Sequence, residues 1–236
     1  MDGFPSDALL QAIAAENNLA ETAFLVREDG NYRIRWFTPT TEVPLCGHAT
    51  LASAAVVMER LEPGRRQVTF HSASGPLSVI RSDSGYIMNF PARFPRPVPT
   101  PHGLTVALGS AAIEVVADAT NYLALLDSAR TVRELTPDIS ALAKFDRQGV
   151  IVTAAGDDNY DIVSRYFAPA IGIPEDPVTG GAHCGLAPYW ANRLNRTELR
   201  AYQASKRGGE MVCRLKGDRV ELEGAVVFYL QGEVNL

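Results

Sequence analysis

An internal repeat constrains this chain more than any other feature. Arg35-Trp36-Phe37-Thr38-Pro39 returns as Arg165-Tyr166-Phe167-Ala168-Pro169, in the order arginine, aromatic, phenylalanine, any residue, proline. Each copy follows a turn containing Gly and Asp and a Tyr-x-Ile strand start, Tyr32-Arg33-Ile34 and Tyr160-Asp161-Ile162. Each leads into an acidic, proline-bearing loop, Glu42-Val43-Pro44 and Glu175-Asp176-Pro177. Each loop closes on glycine and opens an apolar helix, Gly47-His48-Ala49 and Gly180-Gly181-Ala182. Five shared features in one order predict two similar halves. Pro91, Pro95, Pro97, Pro99 and Pro101 make the segment between the halves a stiff extended connector, because proline fixes φ and donates no ladder hydrogen bond. The boundary therefore falls after residue 101, giving halves 1–101 and 102–236.

The local pattern fills in these halves. Ser6 caps a helix carrying Leu9, Leu10, Ile13 and Ala14 that ends near Asn17-Asn18. A strand over residues 21–26, the turn Asp29-Gly30-Asn31 and a strand over 32–37 read as a hairpin. An apolar helix spans 48–60 and is stopped by Pro63-Gly64; strands follow near 66–71, 76–81 and 85–90. The second half reads as strands near 112–118 and 121–126, a helix near 137–144 and a strand over 150–153. The turn Gly156-Asp157-Asp158-Asn159, a strand over 160–167, a helix over 182–194 and strands near 210–216 and 219–230 complete it.

Composition excludes several classes. With 236 residues, 46 % of them hydrophobic and 21 % charged, the chain is ordinary folded protein rather than disordered. A net charge of −5 without a basic block argues against nucleic acid as a partner. No apolar run approaches the roughly 18–20 residues of a membrane helix, and no signal-peptide pattern opens the chain. Three cysteines, Cys46, Cys184 and Cys213, are too few and too odd for a disulfide framework, so a reducing, cytoplasmic setting is expected. No two of them have zinc-ligand spacing, and adjacent His183-Cys184 is not a metal motif, so no metal is expected.

The repeated unit can bind an anion. A helix N-terminus presents unpaired N–H groups and a partial positive charge. Two such ends facing each other across a cleft, with glycines permitting close approach, would grip a small carboxylated molecule from both sides. The alternative is that the glycines only turn the chain into tightly packed helices; the residues alone leave both open. Glu21 shares a strand face with Ala23 and Leu25. A carboxylate on an apolar face is desolvated and holds a proton more readily, which suits a group acting as base and then acid. His48, at a helix start where the dipole disfavours a cation, is expected neutral. Arg35 and Arg165 are either anion clamps or strand-surface pairs; Glu42 and Glu175 are lesser candidates.

Leu19-Ala20-Glu21-Thr22-Ala23-Phe24, Arg35-Trp36-Phe37-Thr38-Pro39 and Leu45-Cys46-Gly47-His48-Ala49-Thr50-Leu51-Ala52 carry a family resemblance. So do Gly172-Ile173-Pro174-Glu175-Asp176-Pro177-Val178-Thr179-Gly180 and Tyr202-Gln203-Ala204-Ser205-Lys206-Arg207-Gly208-Gly209. Over essentially its whole length the chain resembles the phenazine-biosynthesis PhzF family. The resemblance implies an α+β, diaminopimelate-epimerase-like fold: two similar domains, each a mainly antiparallel sheet wrapped around a central helix, with the site between them. It implies a cofactor-free isomerase that moves a proton on a dihydro-hydroxyanthranilate-like carboxylate. By motif match Glu21, His48 and Asp176 would be catalytic. Gly47, Ala49, Gly180, Gly181 and Ala182 would bind substrate. A homodimer is expected by the same analogy.

Three departures stand out. The chain starts almost at its first helix, where relatives begin with a strand and a Gly-Asn loop; about two dozen residues of the family pattern are expected ahead of it. The family's serine in the second helix-opening loop is Gly181 here. Racemising relatives on this fold oppose two cysteines; Cys46 matches the first position, but Thr179 holds the second. A Cys46-dependent epimerase and a decayed small-molecule-binding protein are the rival readings.

Overall fold

Ser6 holds extended backbone and accepts the Leu9 amide on its hydroxyl at 3.4 Å, so α1 (Asp7–Asn17) starts where its cap dictates. Asn18, in the left-handed region, ends it. The structure is a computed structural model and describes residues 3–157 and 159–233. Met1, Asp2 and Asp158 of the expected 156–159 turn lie outside the described residues.

In the first half β1 (Thr22–Glu28) and β2 (Asn31–Phe37) pair antiparallel. Asp29 and Gly30 join them, both at positive φ, as a primed hairpin turn requires. The two-residue β3 (Glu42–Val43) adds to β2. Then α2 (Gly47–Val56), prolonged by a π turn over Val57–Leu61, crosses to β4 (Gln67–Ser72). That strand lies parallel to β2, and β5 (Gly75–Arg81) and β6 (Tyr86–Pro91) follow antiparallel.

The connector continues as β7 (Arg96–Pro97), α3 (Leu104–Leu108), β8 (Glu114–Ala117), β9 (Asn121–Leu125), α4 (Ala129–Glu134) and α5 (Ile139–Leu142). The unit of the first half then repeats. β10 (Gly149–Ala155) and β11 (Ile162–Phe167) form the hairpin, and α6 (Gly180–Leu194) is the crossover to β12 (Glu198–Gln203), parallel to β11. β13 (Gly209–Lys216) and β14 (Arg219–Gly224) complete it antiparallel. The sheet order is β1-β2-β4-β5-β6-β14-β13-β12-β11-β10-β9-β8-β7. The last strands of the two repeats, β6 and β14, therefore pair with each other at the seam.

Each crossover helix is buried against the strands of its own half of this one sheet. Ala54, Ala55 and Val57 of the first, and Ala182, Leu186, Ala187 and Trp190 of the second, share one core with Trp36, Phe70 and Ile151. Burying each large apolar side chain contributes about 1.5–3 kcal/mol. Alternation sends Val150 and Val152 to a second core beneath α3, α4 and α5, which is why β10 is buried on both faces. In α6, Pro188 offers no N–H to the carbonyl of Cys184. The Arg93 amide takes that carbonyl at 2.9 Å and so docks the connector onto the helix.

Several readings shift. The connector is not wholly unpaired, because Arg96 and Pro97 pair with Ala117 and Val116. The helix expected near 137–144 is a single turn, α5, with the Ser128-capped α4 before it. β12 and α3 were not expected at all. The strand expected over 219–230 stops at Gly224, where β6 runs out of partners at Tyr86. Arg35 and Arg165 are not anion clamps. Arg35 grips both oxygens of Glu42 at 2.7 Å and reaches Asp7, while Arg165 grips Glu175 at 2.7 and 3.0 Å and caps the Leu135 carbonyl. Each bridge pins its strand to the loop that aims the next helix.

Candidate active site

The two crossover helices meet end to end. A Cβ added to Gly47 would lie 3.7 Å from the Gly180 Cα, and one added to Gly180 would lie 3.9 Å from the Gly47 Cα. Both are ordinary contacts, one on Gly181 would meet nothing within 4 Å, and none of the three has positive φ. Neither turn geometry nor a clash therefore demands these glycines; Gly47 and Gly180 let the two helix ends approach each other, and Gly181 leaves open space beside them. The N-cap residues, Cys46 and Thr179, make no side-chain cap hydrogen bond, so the first-turn amides remain available to a ligand.

These ends form the wall of a cavity of about 660 Å³, within the size range of small-molecule sites. Glu21, Cys46, Gly47, His48, Asp176, Thr179, Gly180, Gly181 and Ala182 line it. Ala49 is buried behind this wall. The lining also includes Arg93, Thr120, Asn121, Gln148 and Tyr166, none of which the motifs marked as site residues. Four of these form a chain: Tyr166 donates to Asn121, while Asn121 and Arg93 both donate to the Thr120 hydroxyl. Four of them lie outside the repeated motifs, and Tyr166, inside one, reads from sequence as a core aromatic.

Glu21 precedes β1, and its side chain is only 7 % exposed. Its Oε2 lies 3.0 Å from His48 Nε2, yet no donor is aligned on it, leaving a buried acceptor unsatisfied. The Cys46 sulfur sits 3.7 and 3.8 Å from the two imidazole nitrogens. Near-equal distances mean that it points along neither ring nitrogen. Burial opposes a charge on His48, but the Cys46 sulfur and the Glu21 carboxylate outweigh it and hold His48 well above its ordinary value. The expectation of a neutral imidazole is thus corrected in direction: the Cys46 sulfur and a carboxylate at 3.0 Å together outweigh a helix dipole worth about 0.3–1 kcal/mol.

Burial pushes Asp176 up, against the pull of His48's charge and of the Thr179 hydroxyl, which donates to it at 2.7 Å. Burial also pushes the Cys46 thiol up, partly offset by His48. Among the described residues, Glu21, Cys46 and His48 are the one group of potential ligands close enough for a metal ion, their ligand atoms lying within 4.8 Å of one another. The spacing argument from sequence missed it because Glu21 arrives from a different element.

Solved structures fix what kind of molecule this is. A PhzF family protein of Enterococcus faecalis superposes with a TM-score of 0.96 at 43 % identity, over 100 % of this chain and 90 % of the other. A hydroxyproline epimerase of Agrobacterium vitis shares the fold at a TM-score of 0.56 and 12 % identity, over 89 % of this chain and 73 % of that one. A protein of Pseudomonas aeruginosa described as an uncharacterized isomerase is 51 % identical over 237 residues, covering 100 % of this chain and 90 % of its own length. Fold, site and relatives define the class: an isomerase on the diaminopimelate-epimerase-like α+β fold. The family model described as phenazine biosynthesis-like protein (PhzC-PhzF) matches residues 3–232. The chain belongs to that family.

Proposed function

We propose that this protein shifts a proton between carbons of a small, unsaturated carboxylate of the dihydro-hydroxyanthranilate type, without a cofactor. The observation that carries the reading is the Glu21 carboxylate: buried, facing the cavity, with Oε2 3.0 Å from the His48 ring and no other hydrogen-bond partner among the described residues. A desolvated carboxylate of this kind is matched to removing a proton from carbon and returning it. In the proposed step a substrate C–H breaks, its proton passes to Glu21, and the electron pair moves into the substrate's π system. The same proton is then delivered to a second carbon, which restores the carboxylate.

His48 and Asp176 would hold the substrate's polar groups, and the His48 charge would stabilise the negative charge that develops. The amides of Gly47, Ala49, Gly180, Gly181 and Ala182 belong to the two helix ends that would take the substrate carboxylate. In this reading residues 1–101 and 102–236 are the two domains, each supplying one helix end. The protein is taken as a cytoplasmic homodimer. Its three cysteines are free, in keeping with a reducing compartment. Among the described residues no helix is long and apolar enough to cross a membrane. A Cys46-dependent epimerase gains no support, because Thr179 stands where a second thiol base would and burial keeps Cys46 protonated.

The test is proton NMR of trans-2,3-dihydro-3-hydroxyanthranilate with the protein in deuterium oxide. Wild type is expected to isomerise it and Glu21→Gln to lose that turnover while melting normally. Turnover that survives in Glu21→Gln removes Glu21 from the role. No turnover by folded wild type removes this substrate.

A further inference from the structure

The cavity lining sets His48 and Arg93 as cations against the carboxylates of Glu21, Glu42 and Asp176. Glu21 lies 3.0 Å from His48, and Arg35 grips both oxygens of Glu42 at 2.7 Å. Asp176 takes the Thr179 hydroxyl at 2.7 Å. Arg93 is left over: among the described residues no carboxylate lies within ion-pair distance of it. Its guanidinium makes one hydrogen bond, from Nη1 to the neutral Thr120 hydroxyl at 2.9 Å. The rest of its planar fork of N–H donors finds no acceptor among the described residues. We infer that Arg93 grips a second carboxylate of the substrate, the first lying at the two helix ends, so that the substrate is a small unsaturated dicarboxylate. The inference rests on the helix-end carboxylate site of the preceding reading and narrows its substrate class.

The fold holds this arginine at both ends. Its amide takes the Cys184 carbonyl at 2.9 Å, the carbonyl that Pro188 leaves without a helical donor. Cys184 stands one turn, about 6 Å, along α6 from Gly180, so the side chain starts beside a helix end that takes the first carboxylate. At the other end Thr120 is itself fixed. Its hydroxyl donates to Asp118 Oδ1 at 2.9 Å, and the same oxygen accepts the amides of Thr120 and Asn121 at 2.7 Å. Asp118 is thereby spent on its own loop and is joined to Arg93 through that hydroxyl rather than by an ion pair.

The Arg93 charge is felt inside the cavity. Burial pushes the Tyr166 hydroxyl up to about 12 and the Cys184 thiol up to about 11, and the Arg93 charge pulls both back down. Both residues line the cavity. A guanidinium held at its stem and at one nitrogen has given up rotamer freedom before a ligand arrives, so less is lost on binding. Its fork matches a carboxylate with two parallel hydrogen bonds. Anchored at both ends, a dicarboxylate presents one C–H to Glu21; a monocarboxylate swings about its single anchor.

The test is calorimetric titration of the full chain, at neutral pH, with benzoate and isophthalate, probes that differ by one carboxylate. Wild type is expected to bind isophthalate about tenfold more tightly or better, the worth of a charge-assisted hydrogen bond. Arg93→Gln should bring isophthalate to the benzoate level and leave benzoate unchanged. Arg93→Lys, which keeps the charge without the fork, should retain part of the preference. Absence of the preference in wild type, binding of neither probe included, overturns the inference. So does a preference that persists in Arg93→Gln, or an equal weakening of both probes there, which would put Arg93 on the first carboxylate. Urea midpoints check that the variants fold; should Arg93→Gln not fold, an undiminished preference in Arg93→Lys overturns the inference and a reduced one supports it. Turnover plays no part in these readings. A protein that prefers isophthalate through Arg93 but leaves trans-2,3-dihydro-3-hydroxyanthranilate unchanged loses that substrate and keeps this site; one that isomerises it without the preference loses this site alone.

Discussion

At the start of α2 the chain carries Cys46, Gly47 and His48; at the matching start of α6 it carries Thr179, Gly180 and Gly181. The loops before them align as Glu42-Val43-Pro44 and Glu175-Asp176-Pro177. The hairpins align too, since Thr22 pairs with Phe37 as Val150 pairs with Phe167, which puts Glu21 opposite Gly149 in the repeat. At four matched places one half holds a reactive group and the other a small, inert or weaker one: Glu21 against Gly149, Asp176 against Val43, Cys46 against Thr179, and His48 against Gly181. What the halves share is backbone: the hairpin, the arginine–glutamate bridge, the glycine-opened helix. What they divide is chemistry. Gly149 shows the division sterically, because a Cβ there would run into the Tyr166 ring. The duplicated scaffold provides two facing amide clusters, and each half is then free to lose what the other supplies.

The sharpest way to break this comparison is to remove one reactive group from each side. Glu21→Gln should lower proton-shift turnover by about 10²–10⁴-fold. Asp176→Asn, from the other half, should cost about tenfold, the loss of one substrate hydrogen bond worth about 1.4 kcal/mol. Equal losses in single-turnover rates would show that the second half shares the acid–base role.

The two histidines sharpen it next, through opposite pH dependences of stability. His183 is the counterpart of Thr50; both hydrogen-bond the N-cap carbonyl of their helix, at 2.7 and 2.6 Å. Burial holds His183 down at about 4. The unfolded chain therefore binds the extra proton, and stability falls as pH drops from about 6.5 to about 4, by about 3 kcal/mol in all. His48 works the other way. Held above its ordinary value, it adds stability that is full below about 6.5 and is lost as pH rises through its folded pKa. Urea denaturation between pH 4 and 9 should show the acid slope vanish in His183→Gln and the alkaline slope vanish in His48→Asn.

The bridges give a smaller contrast. Arg165 is 11 % exposed and Arg35 is 24 % exposed. Arg165→Ala should therefore cost about 3 kcal/mol, leaving Glu175 half-buried and unpaired, and Arg35→Ala about 1 kcal/mol. Equal urea midpoints would mean that the two loops are held by something other than their bridges. Smallest is Gly181→Ala, whose added Cβ meets open space. It should raise stability by about 0.5–1 kcal/mol through helix propensity, read as a small rise in Tm.

The repeat, the Asp29-Gly30 hairpin and the Ser6 cap were legible because each rests on local chemistry: a positive φ, a side-chain oxygen, a fixed order of residues. The convergence of Glu21, His48 and Asp176 on one cavity was legible only through family motifs, since nothing local brings β1 and the loop before α6 together. β12 was overlooked although Glu198-Leu199-Arg200-Ala201 alternates exposed polar and buried apolar residues; the alternation is only four residues long before the buried Gln203, and the strand's place is set by pairing with β11 and β13. Likewise Val226 to Leu230 read as strand, but a strand needs a neighbour, and β6 ends at Tyr86. His48 was misjudged because only the helix start was weighed, and not the Cys46 sulfur two residues away or the Glu21 carboxylate from a distant part of the sequence.

The seam between β6 and β14 has a mechanical meaning. Six residue pairs, from Arg219 with Pro91 to Gly224 with Tyr86, join the repeats beneath the two helix ends. Prising those ends apart would unzip that ladder. At about 1 kcal/mol per hydrogen bond this costs several kcal/mol and leaves the opened form at roughly one molecule in a thousand or fewer. The two helix ends are thus carried on one continuous sheet, so any movement of one half against the other has to bend that sheet rather than slide two separate bodies.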